Sequence, residues 1–127
     1  MKYRFDKHYT REEAQALLPR IRQWLERLNQ LRHVLERQEK RLDALMKQGH
    51  DTGGQTVNDQ VRTLADVQEV LAEFHHRQIF VKDVERGLVD FPAIIGDKEV
   101  FLCWEQDEDA VEFWHDLEGG YGGRERL

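Results

Sequence analysis

The feature that most constrains this chain is a long helical seam in its first half. The seam positions follow one another at alternating steps of four and three residues, and only one of them is polar. This spacing keeps one stripe on a single side of an α-helix for four heptads, which is typical of helices that pack along their whole length. The positions are Leu17, Ile21, Trp24, Leu28, Leu31, Leu35, Gln38, Leu42 and Leu45.

Two local signals bear on where this helix begins and whether it is continuous. Thr10 and Glu13 have the spacing of a capping box, which predicts that the helix starts at Arg11. Pro19 lies inside the seam and lacks a backbone N–H, and its ring clashes with the preceding turn. We therefore expect a kink at this proline, or a short separate helix that ends near Leu18.

A second helix is predicted after a connection rich in glycine and small polar residues at 48–54. Apolar residues recur at helical spacing beyond this connection, with charged residues between them. We expect the two helices to pair antiparallel as a hairpin over 11–48 and 56–78. The apolar stripe of the second helix comprises Val57, Val61, Leu64, Val67, Leu71 and Phe74.

The last part of the chain, residues 79–127, changes character. Two β-prone apolar runs, 88–95 and 99–104, flank a Gly-Asp-Lys turn and predict a β-hairpin. Acidic residues then open a segment that we expect to form a short C-terminal helix over 107–117, since negative charge is favoured at a helix N-terminus. The predicted fold is therefore α+β in a single domain, 1–127, in which a long helical hairpin carries a small β-hairpin and a short helix.

Charge and composition exclude several classes of function. Residues 1–48 have a balance of +5 and residues 49–127 a balance of −11, so the chain combines a basic arm with an acidic remainder and carries −6 in total. An acidic protein whose arginines alternate with glutamates lacks the concentrated basic surface that nucleic acid requires. No apolar run approaches the ~20 residues that span a bilayer, and no signal peptide is evident. We expect a cytoplasmic protein with no membrane association.

A set of motifs across the chain resembles a known family. Together they resemble the small bacterial family catalogued as domain of unknown function 2203, except that Asp107-Glu108 stands where the family pattern has a Gly-Glu pair. The resemblance implies no established activity, but it implies metal binding by polar residues of the C-terminal motifs. The motifs are Tyr9 to Ala14 with Leu17-Leu18-Pro19, Val81 to Ala93, Val100 to Trp104, Phe113 to Asp116 and Gly119 to Arg124.

Two Glu-x-x-His pairs offer ligands for a metal, because on a helix this spacing places a carboxylate and an imidazole on one face. The pair of Glu73 and His76 should face water. The pair of Glu112 and His115 has more acidic neighbours and could hold one divalent ion, with zinc, manganese, iron and nickel not distinguished. The complete set of candidate ligands is His115, Glu112, Asp116 and Glu108, with Asp90 or Cys103 added if the hairpin folds over the helix.

Structural interpretations compete with each of these sites. His115 could instead hydrogen-bond the hairpin while the acids form a solvated face. Cys103 alternates with its apolar neighbours and fits a small buried residue better than a nucleophile. Asp90 could form an ion pair with Arg124 or Arg86 that holds the motif loops in place.

Three classes of function follow from these observations. The first is a divalent-metal-binding interaction protein, and the second is a coiled-coil scaffold or oligomerisation module without metal. A metal-dependent hydrolase ranks third, because nothing in the sequence requires a reaction. Two packed helices leave part of each seam exposed to water, so we expect a homo-oligomer formed through the helical hairpin, or a protein partner in its place.

Overall fold

The computed structural model describes residues 2–49 and 54–127 of the chain. These residues form two α-helices, a five-stranded antiparallel sheet and one 3-10 turn, so the fold is α+β. Most of the connection predicted at 48–54 lies outside the described residues. The elements are α1 (Arg11–Lys47), α2 (Gln55–His75), β1 (Phe80–Asp83), β2 (Leu88–Ile95), β3 (Lys98–Glu105), β4 (Phe113–Asp116), the 3-10 turn (Tyr121–Gly123) and β5 (Glu125–Arg126).

The start of α1 at Arg11 follows from its capping box, as predicted. Thr10 Oγ1 accepts a hydrogen bond from the Glu13 amide at 3.0 Å, and the Glu13 carboxylate accepts one from the Thr10 amide at 2.9 Å. Two of the backbone donors that a helix start leaves free are thereby satisfied. The bond from the Thr10 backbone also lowers the pKa of Glu13.

Of the two alternatives expected at Pro19, the separate short helix ending near Leu18 is wrong, because α1 runs without interruption from Arg11 to Lys47. Leu18 and Ile21, on either side of the proline, are 5% and 0% exposed and belong to the core. An interior proline costs about 3 kcal/mol through the lost hydrogen bond and the clash of its ring. Burial of two large aliphatic side chains offsets most of that cost, so the tertiary packing keeps the helix continuous.

The contacts between α1 and α2 run in opposite directions along the two helices, which is the arrangement of a helical hairpin. Only the C-terminal half of the apolar stripe predicted for α2, Val67, Leu71 and Phe74, packs against the core. Thr63 and Phe74 are buried, whereas Val61 is 61% and Leu64 is 51% exposed. The contacts that show the antiparallel direction are Trp24 with Phe74, Arg27 with Asp66 and Gln38 with Thr63.

The five strands form a meander in the order β1-β2-β3-β4-β5, and each strand pairs antiparallel with the next. The hairpin predicted between β2 and β3 is present, with Gly96 and Asp97 at φ +55° and +66°. Two successive residues with positive φ are typical of the two-residue turns that match strand twist. One face of the sheet packs against α1 and Phe74 through Val89, Phe91, Ala93, Val100, Leu102 and Trp104.

The short helix predicted over 107–117 is wrong. Residues 113–116 form strand β4, and the only helical geometry in the described part of the C-terminal region is the 3-10 turn Tyr121–Gly123. Strand β4 pairs with β3 through Val100 with Asp116 and Leu102 with Trp114. Pairing satisfies the backbone groups along that edge of β3, and this outweighs the local preference of acidic residues for a helix start.

Strand alternation gives the sheet a second face, opposite the helices. Because side chains two residues apart on a strand point to the same side, Asp90, Phe101, Cys103 and His115 belong to this second face. The segment that follows β4, with Tyr121, lies over part of it. Over the described residues, neither α1 nor α2 contains a stretch long and apolar enough to cross a membrane.

Candidate metal centre

Three side chains of different chemistry meet on the second face of the sheet. Asp90 of β2 lies opposite Cys103 of β3, and β4 pairs His115 with Phe101, two residues before the cysteine. The register therefore brings a carboxylate, a thiol and an imidazole together from three neighbouring strands. Their potential ligand atoms all lie within 4.8 Å of one another, and all three residues are buried. We call Asp90, Cys103 and His115 the buried cluster.

Two contacts determine the orientation of the His115 ring. Its Nδ1 lies 2.7 Å from the carbonyl oxygen of Asp116, and its Nε2 lies 3.1 Å from Asp90 Oδ2. A carbonyl oxygen can only accept, so Nδ1 carries a proton and donates it. In a neutral ring Nε2 then presents a lone pair to a carboxylate oxygen. Two acceptors at this distance repel each other unless a proton or a cation lies between them.

The other oxygen of Asp90 has unused capacity. Asp90 Oδ1 is buried and has no hydrogen-bond partner among the described residues, in a side chain that is only 3% exposed. Buried polar atoms without partners are rare because each loses its hydration without replacement. Asp90 Oδ1 can therefore accept a hydrogen bond or bind a cation that the described residues do not supply.

The thiol of Cys103 is neutral in the metal-free chain. Burial raises its pKa to about 12, and the negative charge of Asp90 adds to the effect, whereas Arg124 opposes it. A protonated, fully buried thiol is a poor nucleophile, which agrees with the sequence-based interpretation of Cys103 as a small buried residue. It can still become a ligand, since a metal ion displaces the proton of a thiol that it binds.

A cavity of about 290 Å³ opens onto the buried cluster. Asp90 and His115 line its floor, although their side chains are only 3% and 2% exposed. The cavity thus reaches the buried cluster at its base, while other residues form most of its surface. These are Lys82, Leu88, Phe101, Leu117, Glu118, Gly120 and Tyr121.

An ion pair fixes the C-terminal segment beside the cluster. The guanidinium of Arg124, in a side chain that is 9% exposed, binds the carboxylate of Glu108. It lies over the rings of Phe113 and Tyr121, at 3.8 and 4.5 Å from their centroids. Burial alone would lower the pKa of Arg124, but the hydrogen bond and charge of Glu108 outweigh burial and leave that pKa raised.

The structure separates the other predicted ligands from the buried cluster. Glu112 and His115 do not share a helix face, because the chain is extended here and residues three apart point to opposite sides. Each remaining acid has a cationic neighbour: Glu108 has Arg124, Glu112 has Arg126 at 3.6 Å and Asp116 has Lys98 at 2.6 Å.

Two further sequence-based interpretations can be compared with the structure. The arginines suggested as partners of Asp90 pair elsewhere, Arg124 with Glu108 and Arg86 with Glu105. In the other Glu-x-x-His pair, His76 is exposed.

Sequence reasoning missed the walls of the cavity. Lys82 and Tyr121 are 39 residues apart, and no spacing signal connects them. The period-two pattern of residues 113–116 is the signal that could have placed His115 on a strand, because Trp114 packs against the core while His115 faces the other side.

The fold and the site define an α+β protein in which two helices cover one face of a five-stranded meander. The other face carries a buried carboxylate, thiol and imidazole beneath a cavity. A family model described as "Uncharacterized conserved protein (DUF2203)" matches residues 7–127, and the chain belongs to this family. The resemblance noted in the sequence motifs is thus confirmed. The comparisons with curated proteins and with solved structures found no match.

Proposed function

We propose that this protein binds one divalent transition-metal ion, zinc, through Asp90, Cys103 and His115. The observation that carries the proposal is the approach of His115 Nε2 to Asp90 Oδ2 at 3.1 Å, with Nδ1 committed as a donor to a carbonyl. A cation between the two atoms removes the repulsion between their lone pairs. Bound by both carboxylate oxygens, the cation also supplies a partner for Asp90 Oδ1, which has none among the described residues.

The distances and the surroundings of the cluster support this proposal. Nitrogen and oxygen ligands of a tetrahedral zinc ion, each at about 2.0–2.2 Å from the metal, lie about 3.3–3.5 Å apart, close to the separation of these two atoms. Metal-binding histidines usually donate their other ring N–H to a carbonyl or a carboxylate, which orients the ring. The bond from His115 Nδ1 to Asp116 has this form.

The mixed donor set favours zinc, which binds thiolate, imidazole and carboxylate ligands alike. Manganese prefers oxygen ligands, whereas a thiolate selects softer ions and an imidazole suits zinc, iron and nickel. The thiolate and the carboxylate together neutralise a divalent charge, which reduces the cost of burying the ion. Three protein ligands leave a fourth position of a tetrahedral ion for water or another molecule.

Metal analysis of the whole chain, purified without a polyhistidine tag or added metal and then titrated with zinc, tests the proposal. We expect one zinc ion per chain, retained in His76→Ala, which removes an exposed histidine, and lost in Asp90→Asn and Cys103→Ala. Cobalt should give a thiolate charge-transfer band that is absent from Cys103→Ala. Circular dichroism verifies that each variant is folded.

The competing arrangement is a proton in place of the metal, so that an imidazolium pairs with the carboxylate. Nitrogen NMR of the His115 ring separates the two arrangements, because zinc coordination and protonation shift Nε2 differently. A wild-type chain that takes up no zinc, or folded variants that keep a full equivalent, would contradict the proposal.

We also propose that the chain forms a homodimer through α2. Its outer side carries an apolar stripe that the fold leaves exposed, with Val57, Val61 and Leu64 at 40%, 61% and 51%. Exposed contiguous apolar surface of this kind is typical of interaction sites. The small side chains of Ala65 and Ala72 lie beside the stripe, where they permit close approach of a second helix.

The charges next to the stripe favour a second copy of this chain as the occupant. Arg62 and Glu69 are seven residues apart on the same flank of α2. If two copies of α2 pair antiparallel about a two-fold axis near Ala65, the arginine of each copy meets the glutamate of the other. Such charge pairs beside an apolar seam set partner choice and direction in paired helices.

Light scattering during size-exclusion chromatography tests the dimer. We expect a mass of about 30 kDa, twice the 15.2 kDa of one chain. Val61→Glu with Leu64→Glu should give a monomer. Arg62→Glu and Glu69→Arg should each weaken the dimer, and the double variant should restore it. A monomeric wild type, or association only with a different protein, would overturn this proposal.

A further inference from the structure

We propose that the cavity above the buried cluster binds a small monocarboxylate with an apolar body, and that Lys82 pairs with its carboxylate. This inference rests on the proposed metal site and names the class of ligand that occupies the space beside the ion. It is carried by the position of Lys82, by the chemistry of the cavity walls and by the charge balance of the site.

Lys82 is the cationic side chain of the cavity lining that can pair with a negatively charged ligand. Its Nζ lies 5.6 and 5.8 Å from the ring centroids of Phe80 and Phe101, and it has no ion-pair partner among the described residues. The two arginines near this face are already engaged, since Arg86 pairs with Glu105 at 2.7 Å and Arg124 pairs with Glu108. An ammonium group over two aromatic rings is attracted to their faces and offers three donors.

The walls of the cavity match a carbon skeleton more closely than a polar one. Leu88, Phe101 and Leu117 supply apolar surface, and the ring of Tyr121 closes another side. Binding sites are commonly apolar clefts with a few polar groups that fix the orientation of the ligand. A volume of about 290 Å³ lies at the lower end of the range for such sites, so the ligand is small.

The charges that surround the cavity favour a ligand with a single negative charge. A divalent ion bound by the carboxylate of Asp90 and the thiolate of Cys103 is formally neutral, and Glu118 is paired with Arg4, which leaves the positive charge of Lys82 in the cavity. A phosphate group would bring a second negative charge and normally relies on arginine forks or several backbone donors. It would also approach Glu118, which lines the cavity and whose carboxylate is 3.0 Å from Arg4. A monocarboxylate pairs with Lys82 and brings about half the negative charge of a phosphate toward Glu118.

The experiment uses the full chain loaded with cobalt and measures the visible absorption of the ion while a probe is added. The probes are benzoate, its neutral counterpart benzamide, and inorganic phosphate. We expect benzoate to change the cobalt spectrum saturably, with benzamide and phosphate at least tenfold weaker. Lys82→Met should weaken benzoate at least tenfold while keeping one cobalt per chain. Lys82→Arg, which keeps the charge, and Lys40→Met, an exposed lysine on α1, should stay close to wild type.

The possible outcomes separate this inference from the metal proposal. If cobalt does not bind, the metal site is wrong and the inference falls with it. If cobalt binds but benzoate leaves the spectrum unchanged, the metal site stands and the carboxylate site is overturned. Equal binding of benzamide, tighter binding of phosphate, or unchanged affinity in folded Lys82→Met also overturns it.

Discussion

Zinc binding by this chain should release one proton from Cys103, and the affinity for zinc should therefore rise with pH. Burial raises the pKa of the thiol to about 12, so in the metal-free chain the thiol stays protonated throughout the neutral range. At pH 8 the difference of 4 pH units leaves about one chain in 10⁴ with a thiolate. Since zinc binds the thiolate, each added pH unit makes that form about tenfold more abundant.

The sign and the range of the effect follow from that pKa. The free chain carries the proton below pH 12 and the zinc-bound chain does not, so the association constant increases about tenfold per pH unit up to that point. Measurements between about pH 7.5 and 9 avoid the range in which ordinary histidines take up protons. Cys103→Ala removes the ionising ligand, so any residual zinc affinity of this variant should be nearly independent of pH over the same interval.

Competition with a chelator of known affinity, repeated at several pH values, measures this slope. Calorimetry in buffers with different heats of ionisation counts the released protons independently. Cys103→Ser is a matched control, because a hydroxyl of similar size does not ionise in this range. A flat wild-type profile, or the same slope in Cys103→Ala, would show that the thiol is not a ligand and would refute the reasoning.

Three further predictions concern the elements that support the site. Arg124→Ala leaves the Glu108 carboxylate without its partner and should lower the free energy of unfolding in urea by about 2–3 kcal/mol. Lys98→Ala removes the exposed pair of Lys98 with Asp116 and should lower the same free energy by less than about 1 kcal/mol. Gly87 has φ +68°, and an added Cβ would lie 2.7 Å from the Gln106 side chain, so Gly87→Ala should cost at least about 1 kcal/mol in the same assay. Thr10→Ala should lower the thermal midpoint through a loss of about 1 kcal/mol at the α1 cap, and Thr10→Ser should not. An unchanged unfolding curve in any of these alanine variants would contradict its structural reason.

The sequence by itself determined the elements that rest on contacts between near neighbours. The capping box at Thr10 set the start of α1, and helical periodicity predicted both helices. Glycine and aspartate at positions 96 and 97 predicted the turn between β2 and β3, because few residues tolerate positive φ. Each of these signals lies within a single helix or a single hairpin, so no distant contact was needed to interpret it.

The tertiary structure decided which surfaces meet. Periodicity placed an apolar stripe on α2 but could not show that only its C-terminal half, with Phe74, packs against the core while Val61 and Leu64 stay exposed. The acidic segment before Phe113 has the local chemistry of a helix start, yet residues 113–116 form a strand because they pair with the edge of β3. In both cases the deciding energy comes from a partner that is distant in sequence, and local propensities are smaller than the free energy of packing and pairing.

The buried cluster depends on both kinds of information. The sequence supplied His115, Asp90 and Cys103 as candidate ligands, and the resemblance to the family pointed to the same C-terminal motifs. Glu108, Glu112 and Asp116 were grouped with them by a helical spacing that a strand does not have. Asp90, Cys103 and His115 are 13 and 12 residues apart in sequence, and only the register of three strands brings them within 4.8 Å. Register is a long-range property, because it is set by pairing along whole strands and by which face is buried.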